Sequence, residues 1–454
     1  MQAPPTLDEL GQRLDVLSDR FPRITRQYRV PAAILGIIHS GEERYVAAGE
    51  WTTAAADRPF PATSLTKLFT STLVMRLVDQ GLVELDRAAV DYVPELSLPS
   101  PELGRRLTVR HLLSHTSGLR DGALEAVDGL EPLTDQSIAE YVARSRALVR
   151  VPPPGEVYSY SSPGFVVLGR LVELVTGREW PEALREGLLG PLGLTATVHH
   201  PEMLAGRGFD ASGWSCKGDA PTFSRWLAPA AMMATTIRDL LAFSRLHLDT
   251  RGPELRRLLG DDAVRAMREP QIELPDPGLG VAGGLGWRIL DRSSDLVGHW
   301  ALGHGHSTAL WVLPARDLAV AVVALDGDAQ WMLWDICGPV FGDLMVQDTP
   351  RRVRDFDPET AGRVMGIYEL PGVRFRVETG DTGLLLTCEE RGHGPGQFAA
   401  WTGAALTLQP TEVPDAYLAR GQNRVRILVH FRRPDSAGRY RYLCVLAHAA
   451  TRVD

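Results

Sequence analysis

Ala32-Ala33-Ile34-Leu35-Gly36-Ile37-Ile38-His39 is an apolar run of strand length, and the architecture is built around it. Ser40-Gly41-Glu42 follows as a turn, and Glu43–Gly49 reads as a second strand, so the pair is a hairpin. Ahead of it, Leu10, Leu14, Leu17, Phe21 and Ile24 recur at helical spacing within Leu7–Gln27, with Thr6 as the cap. Behind it, a helix is predicted from Thr63 to Gln80, stopping at Gly81. The stretch from Asp86 to Trp226 is helix-rich but broken by Pro and Gly, and Thr235–Leu248 reads as another helix. From Gly283 to Ala324 strand patterns return: Gly286–Ile289, Ser307–Leu313 and Leu318–Leu325. Strands at both ends with helices between them pair into one antiparallel sheet packed on a central helical region, an α+β fold.

Beyond Pro350–Pro358, a polar linker bounded by prolines, short runs alternate in period two: Val373–Val377, Leu384–Thr387, Ala405–Leu408, Arg424–Phe431 and Tyr440–Leu446. They predict a small antiparallel β-domain, a barrel or a sandwich. The division is 1–349, a linker 350–358, and 359–454.

Composition excludes several classes. With 48 Lys and Arg against 56 Asp and Glu, the net charge is −8, so a nucleic-acid binder relying on bulk positive charge is not expected. No apolar stretch is long enough to span a bilayer, and no basic region followed by an apolar run opens the chain. Cys216, Cys337, Cys388 and Cys444 have no metal-ligand spacing and read as reduced thiols of a cytoplasmic protein. Lysine occurs only at Lys67 and Lys217; every other basic side chain bar histidine is arginine, which cannot give up its proton. Both lysines therefore invite inspection for acid–base work.

Three stretches carry chemistry. In Ser64-Leu65-Thr66-Lys67 the serine and lysine lie one helical turn apart on one face. Ser64 falls on the first turn, where free N–H groups favour developing negative charge, and a neutral Lys67 would take its proton. In Pro154–Gly164, Tyr158 or Tyr160 can present a hydroxyl from the loop before an apolar helix. In Gly298-His299-Trp300-Ala301-Leu302-Gly303-His304-Gly305-His306, three histidines hint at metal, but H-x4-H-x-H is no recognised ligand spacing. A glycine-bracketed strand edge suits a backbone oxyanion donor better, and no metal or cofactor site is expected.

Taken in order, Ser64-x-x-Lys67, the run Leu107–Leu119 (Leu-Thr-Val-Arg-His-Leu-Leu-Ser-His-Thr-Ser-Gly-Leu), the Tyr160 loop, Gly190-Pro191-Leu192-Gly193-Leu194, Gly286-Trp287 and the His299 stretch resemble the serine β-lactamase and penicillin-binding-protein superfamily, in its class C-like branch with D-aminopeptidases and esterases. The resemblance covers roughly residues 7 to 345. It implies Ser64 as nucleophile, Lys67 as its base, Tyr160 as proton shuttle, and the backbone N–H groups of Ser64 and Leu302 as oxyanion hole. His299 takes the place of the lysine in the β-lactamase Lys-Thr-Gly strand, and His111 and His115 belong to a structural segment. Ser162 replaces the family's Asn, and Ala301, after the bulky Trp300, replaces a Gly; both weaken β-lactam hydrolysis. The two-domain plan, with a lipocalin-like C-terminal barrel, is similar to the stand-alone penicillin-binding-protein-type thioesterases. Those cyclise nonribosomal peptides presented as carrier-protein thioesters. The resemblance thus implies a serine acyltransferase or peptide cyclase, with hydrolases of the same fold and a non-catalytic binding module as the other readings. The expected partner is a peptidyl thioester, with no nucleic acid and no membrane.

Overall fold

The computed structural model describes residues 6–98, 100–119, 137–144, 152–197, 225–274, 276, 279–291, 293, 295–303, 305–342, 354, 357–370, 372–380, 383–390, 402–403, 405–420 and 426–454. Cys216, His304 and most of the linker at 350–358 lie outside them.

The first ten strands are β1 (Ala32–His39), β2 (Glu42–Gly49), β3 (Phe60–Pro61), β4 (Ala234–Thr235), β5 (Ile272–Glu273), β6 (Ala282–Gly283), β7 (Arg288–Asp291), β8 (Leu296–Gly303), β9 (His306–Leu313) and β10 (Leu318–Leu325). Eight of them form one sheet in the order β2-β1-β10-β9-β8-β7-β6-β5, while β3 and β4 pair separately. The opening and closing strands therefore meet inside the sheet, next to the β2 edge, Ala33 opposite Ala324 and His39 opposite Leu318. β1 can sit there because both its faces are apolar and buried. Ala33, Leu35 and Ile37 pack towards the helices Leu7–Gln27 and Ala329–Phe341. Ile34 and Ile38 pack towards the larger helical region that contains the helix Thr66–Asp79.

The Thr235–Leu248 expectation resolves into a helix, Ile237–Ser244, closed by a tight turn at Arg245–His247. His299, read as part of a strand turn, lies within β8. Gly286 has a positive φ of 87° and sits so close to the Thr66–Asp79 helix that a Cβ would fall 2.1 Å from Ser71 Oγ. Only glycine serves there.

After the helix Pro358–Val364 come β11 (Gly366–Leu370), β12 (Val373–Gly380), β13 (Gly383–Glu390), β14 (Ala405–Pro410), β15 (Ala416–Arg420), β16 (Arg426–Pro434), β17 (Tyr440–Val445) and β18 (His448–Arg452). They close into an antiparallel barrel through β11 and β18. Its interior, including Phe375, Leu386, Val429 and Phe431, is separate from the cores on either side of the sheet. A small cluster of Val157 with Tyr442, Cys444 and Ala449 joins the barrel to the loop before Tyr160.

Candidate active site

Ser64 stands in a tight turn, Thr63–Leu65, that runs directly into the helix Thr66–Asp79. The turn is held from several directions. Ala62 N–H donates to Met233 O (2.7 Å), Met233 N–H to Thr66 Oγ1 (3.2 Å), and His306 Nε2 lies 2.9 Å from Pro61 O. Thr63 adopts φ 43°, a left-handed conformation that costs a β-branched residue about 1–3 kcal/mol. That strain sits next to Ser64. Lys67 is fully buried, its Nζ 3.4 Å from Ser64 Oγ and bonded to Ala230 O at 3.0 Å. The same Nζ lies 4.7 Å from the Tyr160 ring centre and 5.8 Å from that of Phe165. Serine, lysine and tyrosine thus converge.

Tyr160 is fixed from two domains. On one side its ring stacks on His115, with centroids 4.4 Å apart. His115, itself at φ 56°, accepts the Ser161 N–H on Nδ1 (3.0 Å), and its carbonyl accepts the Ser159 N–H (2.9 Å). On the other side the barrel holds the loop. Tyr160 N–H donates to Ala447 O (2.8 Å), and Ala449 N–H donates to Ser159 Oγ (3.3 Å). Tyr442 O–H donates to the Glu156 carboxylate (2.8 Å), and Arg433 Nε donates to Glu156 O (3.0 Å). Glu156→Ala leaves the Tyr442 hydroxyl without its acceptor and should cost about 1–3 kcal/mol, read by urea unfolding. Activity should fall with it, because the loop carrying Tyr160 loses one of its ties to the barrel.

His299 is 99% buried in β8, its ring centre 6.5 Å from that of Tyr160. Burial, reinforced by Arg288, holds its pKa well below the usual value, so it is a neutral imidazole. It cannot supply the fixed charge of the lysine it replaces. Burial keeps His115 neutral likewise. His111 has a structural role: its Nδ1 accepts the Thr108 N–H (3.2 Å) in a helix cap.

A cavity of about 410 Å³ opens over Ser64 and Tyr160, lined by Trp300, Ala301 and Leu302 of β8, by Leu446, Ala447 and His448 at the β17–β18 turn, and by Trp331 and Trp334. Strand β7 pairs with β8 only as far as Gly298, so the outer edge of His299–Gly303 carries no strand among the described residues. The Thr63–Leu65 turn packs against β8. That edge is where the Leu302 N–H was expected as an oxyanion donor. Ser162 begins the helix Ser162–Thr176 and is not among the lining residues; its neighbour Ser161 caps that helix through Gly164 N–H (3.0 Å). Three contributors were not read from sequence. His115 supports Tyr160, the β17–β18 turn closes the cavity, and Arg288 brings a charge to its wall. Arg288 is 93% buried; its Nε and Nη1 find no hydrogen-bond partner, and the guanidinium lies 4.0 Å from the Trp300 ring centre. Among the described residues, no Asp or Glu lines the cavity. The spacing of His115 and Arg288 gave no signal, because only tertiary folding brings them to Tyr160.

The family model for Beta-lactamase matches residues 11–328. The chain belongs to the beta-lactamase family. Penicillin-binding protein 4 of Amycolatopsis lactamdurans is 29% identical over 79% of this chain and 96% of its own length. A D-aminopeptidase of Cereibacter sphaeroides is 27% identical over 55% of this chain, which spans 48% of that protein. Among solved structures, that of SurE with D-Leu aligns over 98% of this chain and 100% of its own, with a TM-score of 0.75 and 26% identity. A class C beta-lactamase in complex with cefoxitin shares the fold at a TM-score of 0.59 and 16% identity. The family is one of serine hydrolases, and the chain is an enzyme of that type.

Proposed function

We propose that the chain transfers an acyl group through Ser64, taking a nonribosomal peptidyl thioester and releasing it as a macrolactam when the peptide's own amine attacks. The observation that carries the acyl-enzyme step is the buried Lys67 Nζ 3.4 Å from Ser64 Oγ, with the Tyr160 ring 4.7 Å from the same nitrogen. Lys67 takes the Ser64 proton as Oγ bonds to the carbonyl carbon, and the oxyanion is held at Ser64 N–H and the free edge of β8. Tyr160 passes a proton to the departing thiolate, leaving the ester. The amine then attacks that ester, loses its proton to Tyr160, and Ser64 Oγ is reprotonated from Lys67. Tryptophans and the barrel turn line the site with apolar surface, which a bound peptide would complete against water and so favour aminolysis over hydrolysis. The likeness to SurE spans the barrel as well as the catalytic domain, and the D-Leu of that structure makes a D-residue at the reacting end the first stereochemistry to test. Incubation with a peptidyl N-acetylcysteamine thioester should give a product lighter than the linear acid by one water. Linear acid alone would reject the cyclase.

A second reading, hydrolysis of short peptides with a free carboxylate, is favoured by Arg288, a buried cation on the cavity wall whose Nε and Nη1 have no hydrogen-bond partner. Under it, Arg288→Met should raise KM tenfold or more for carboxylate-bearing substrates and leave the corresponding amides behind in the comparison. Equal effects on acid and amide would return the choice to the cyclase.

A further inference from the structure

The cavity does not end at the catalytic residues. Strand β8 runs through it, and alternation sends its side chains to opposite faces of the sheet. His299 and Ala301 turn towards the face of the Thr66–Asp79 helix, while Trp300 joins the core on the other face, beside the helix Ala329–Phe341. Leu302 follows Trp300 by two and shares its side. Because β7 begins at Arg288, opposite Gly298, the cavity wraps around an edge of β8 that no described strand covers, from one face to the other. The far wing is lined by Trp300, Leu302, Trp311, Trp331, Leu333 and Trp334.

Two of these tryptophans are conspicuously wet. Trp331 and Trp334 are three apart and so share a face of the Ala329–Phe341 helix; they are 56% and 36% exposed, the only exposed tryptophans among the described residues. Leu302, on the strand edge itself, is 56% exposed. Trp334 meets Trp300 edge to face at 5.4 Å, and Trp300 carries Arg288 on its ring, so the wing has a fixed back wall and an open front. Large apolar groups clustered in a cleft, continuous with a nucleophile, are what a substrate side chain would cover.

We propose that Trp331 and Trp334, with Trp300 and Leu302, form a specificity subsite for a bulky apolar or aromatic side chain on the acyl donor, at or next to the reacting carbonyl. This rests on the acyl-enzyme reading above and names its substrate class. The donor's backbone lies along the bare edge of β8, its carbonyl at Ser64, and a side chain on the far side of that edge enters the wing. The alternating geometry that aims Trp300 away from Lys67 thereby separates chemistry from selection.

The test is a panel of peptidyl thioesters with alanine, leucine or phenylalanine, in both configurations, at the terminal and the adjacent position. The full-length enzyme should prefer phenylalanine or leucine over alanine at one of these positions. Trp331→Ala and Trp334→Ala should each shrink that preference, as a ratio of kcat/KM values, at least tenfold. A uniform fall across the panel, or an unchanged ratio, would overturn the subsite. Fluorophosphonate labelling of Ser64 is read in parallel: a wild-type enzyme that neither labels nor turns over any donor would reject the acyl-enzyme reading instead. In that event the wing is tested by binding alone, with inert N-acetyl-phenylalaninamide and N-acetyl-alaninamide followed by tryptophan fluorescence. Tighter binding of the phenylalanine compound, lost in Trp331→Ala, supports it; no discrimination overturns it.

Discussion

Arginine at position 67 is expected to lower kcat/KM for acyl transfer by about three orders of magnitude, within the range for removing a general base. The substitution keeps a positive charge and removes the ability to release a proton. If Lys67 served only as a fixed cation beside the oxyanion, arginine would serve nearly as well. The geometry argues for the proton: Nζ is 3.4 Å from Ser64 Oγ, is shut away from solvent, and faces the Tyr160 ring. The same loss should appear in the rate at which a fluorophosphonate labels Ser64, a measurement that needs no knowledge of the substrate. Near-ultraviolet circular dichroism, which responds to the tryptophans around the site, separates lost chemistry from lost structure. Tyr160→Phe is a smaller change, since the ring keeps its stack on His115 and only the hydroxyl goes. Turnover should then fall with labelling less affected, because in the proposed mechanism the tyrosine acts on the leaving group and the incoming amine.

The parts of this fold that could be read from sequence are those whose stability is local or whose burial is complete. β1 and β10 have the bounds that their apolar runs indicate, Ala32–His39 and Leu318–Leu325, because a strand buried on both faces leaves an unbroken signature. β8 gave no such signature. Its Gly-His-Trp-Ala-Leu-Gly sequence serves a cavity on one edge, and side chains chosen for a site do not follow the pattern chosen for a core. In the barrel, β12, β13, β14, β16 and β17 coincide with alternating runs. β11, β15 and β18, of five residues each, do not, since closure through β11 and β18 is a long-range pairing that short strands cannot announce. The candidate trio of Ser64, Lys67 and Tyr160 was legible as motifs, and the fold brings the three together. The wall that decides what reaches Ser64 was not, because it is assembled from β8, from the helix near residue 331 and from a turn near residue 447.

That assembly also concentrates cations and neutral imidazoles in the interior, which makes acid a specific threat. His115, His247, His299 and His430 are all buried, and in each case burial is the leading reason the pKa falls, to about 3 for His247 and His430. Nearby cations deepen the effect: Arg288 at His115 and His299, Arg268 and Arg251 at His247, Arg432 at His430. In the unfolded chain each titrates near its ordinary value, about 6.5. Below that pH the unfolded state therefore holds protons that the native state does not, so stability falls as pH falls. His247 and His430 each contribute a slope of about 1.4 kcal/mol per pH unit, together about 4 kcal/mol by pH 5, and His115 and His299 act in the same direction. Since a whole domain is stable by only about 5–15 kcal/mol, cooperative acid unfolding is expected above about pH 4. Urea midpoints measured from pH 8 to pH 5 give the slope directly. His247 is the cleanest single test, because neither ring nitrogen has a hydrogen-bond partner and the ring packs between Phe243 (5.3 Å) and Trp287 (4.9 Å). His247→Phe should keep that packing and flatten the pH dependence by one proton's worth. An acid midpoint below pH 4, or a slope the same with and without His247, would mean these imidazoles find protons without unfolding the chain.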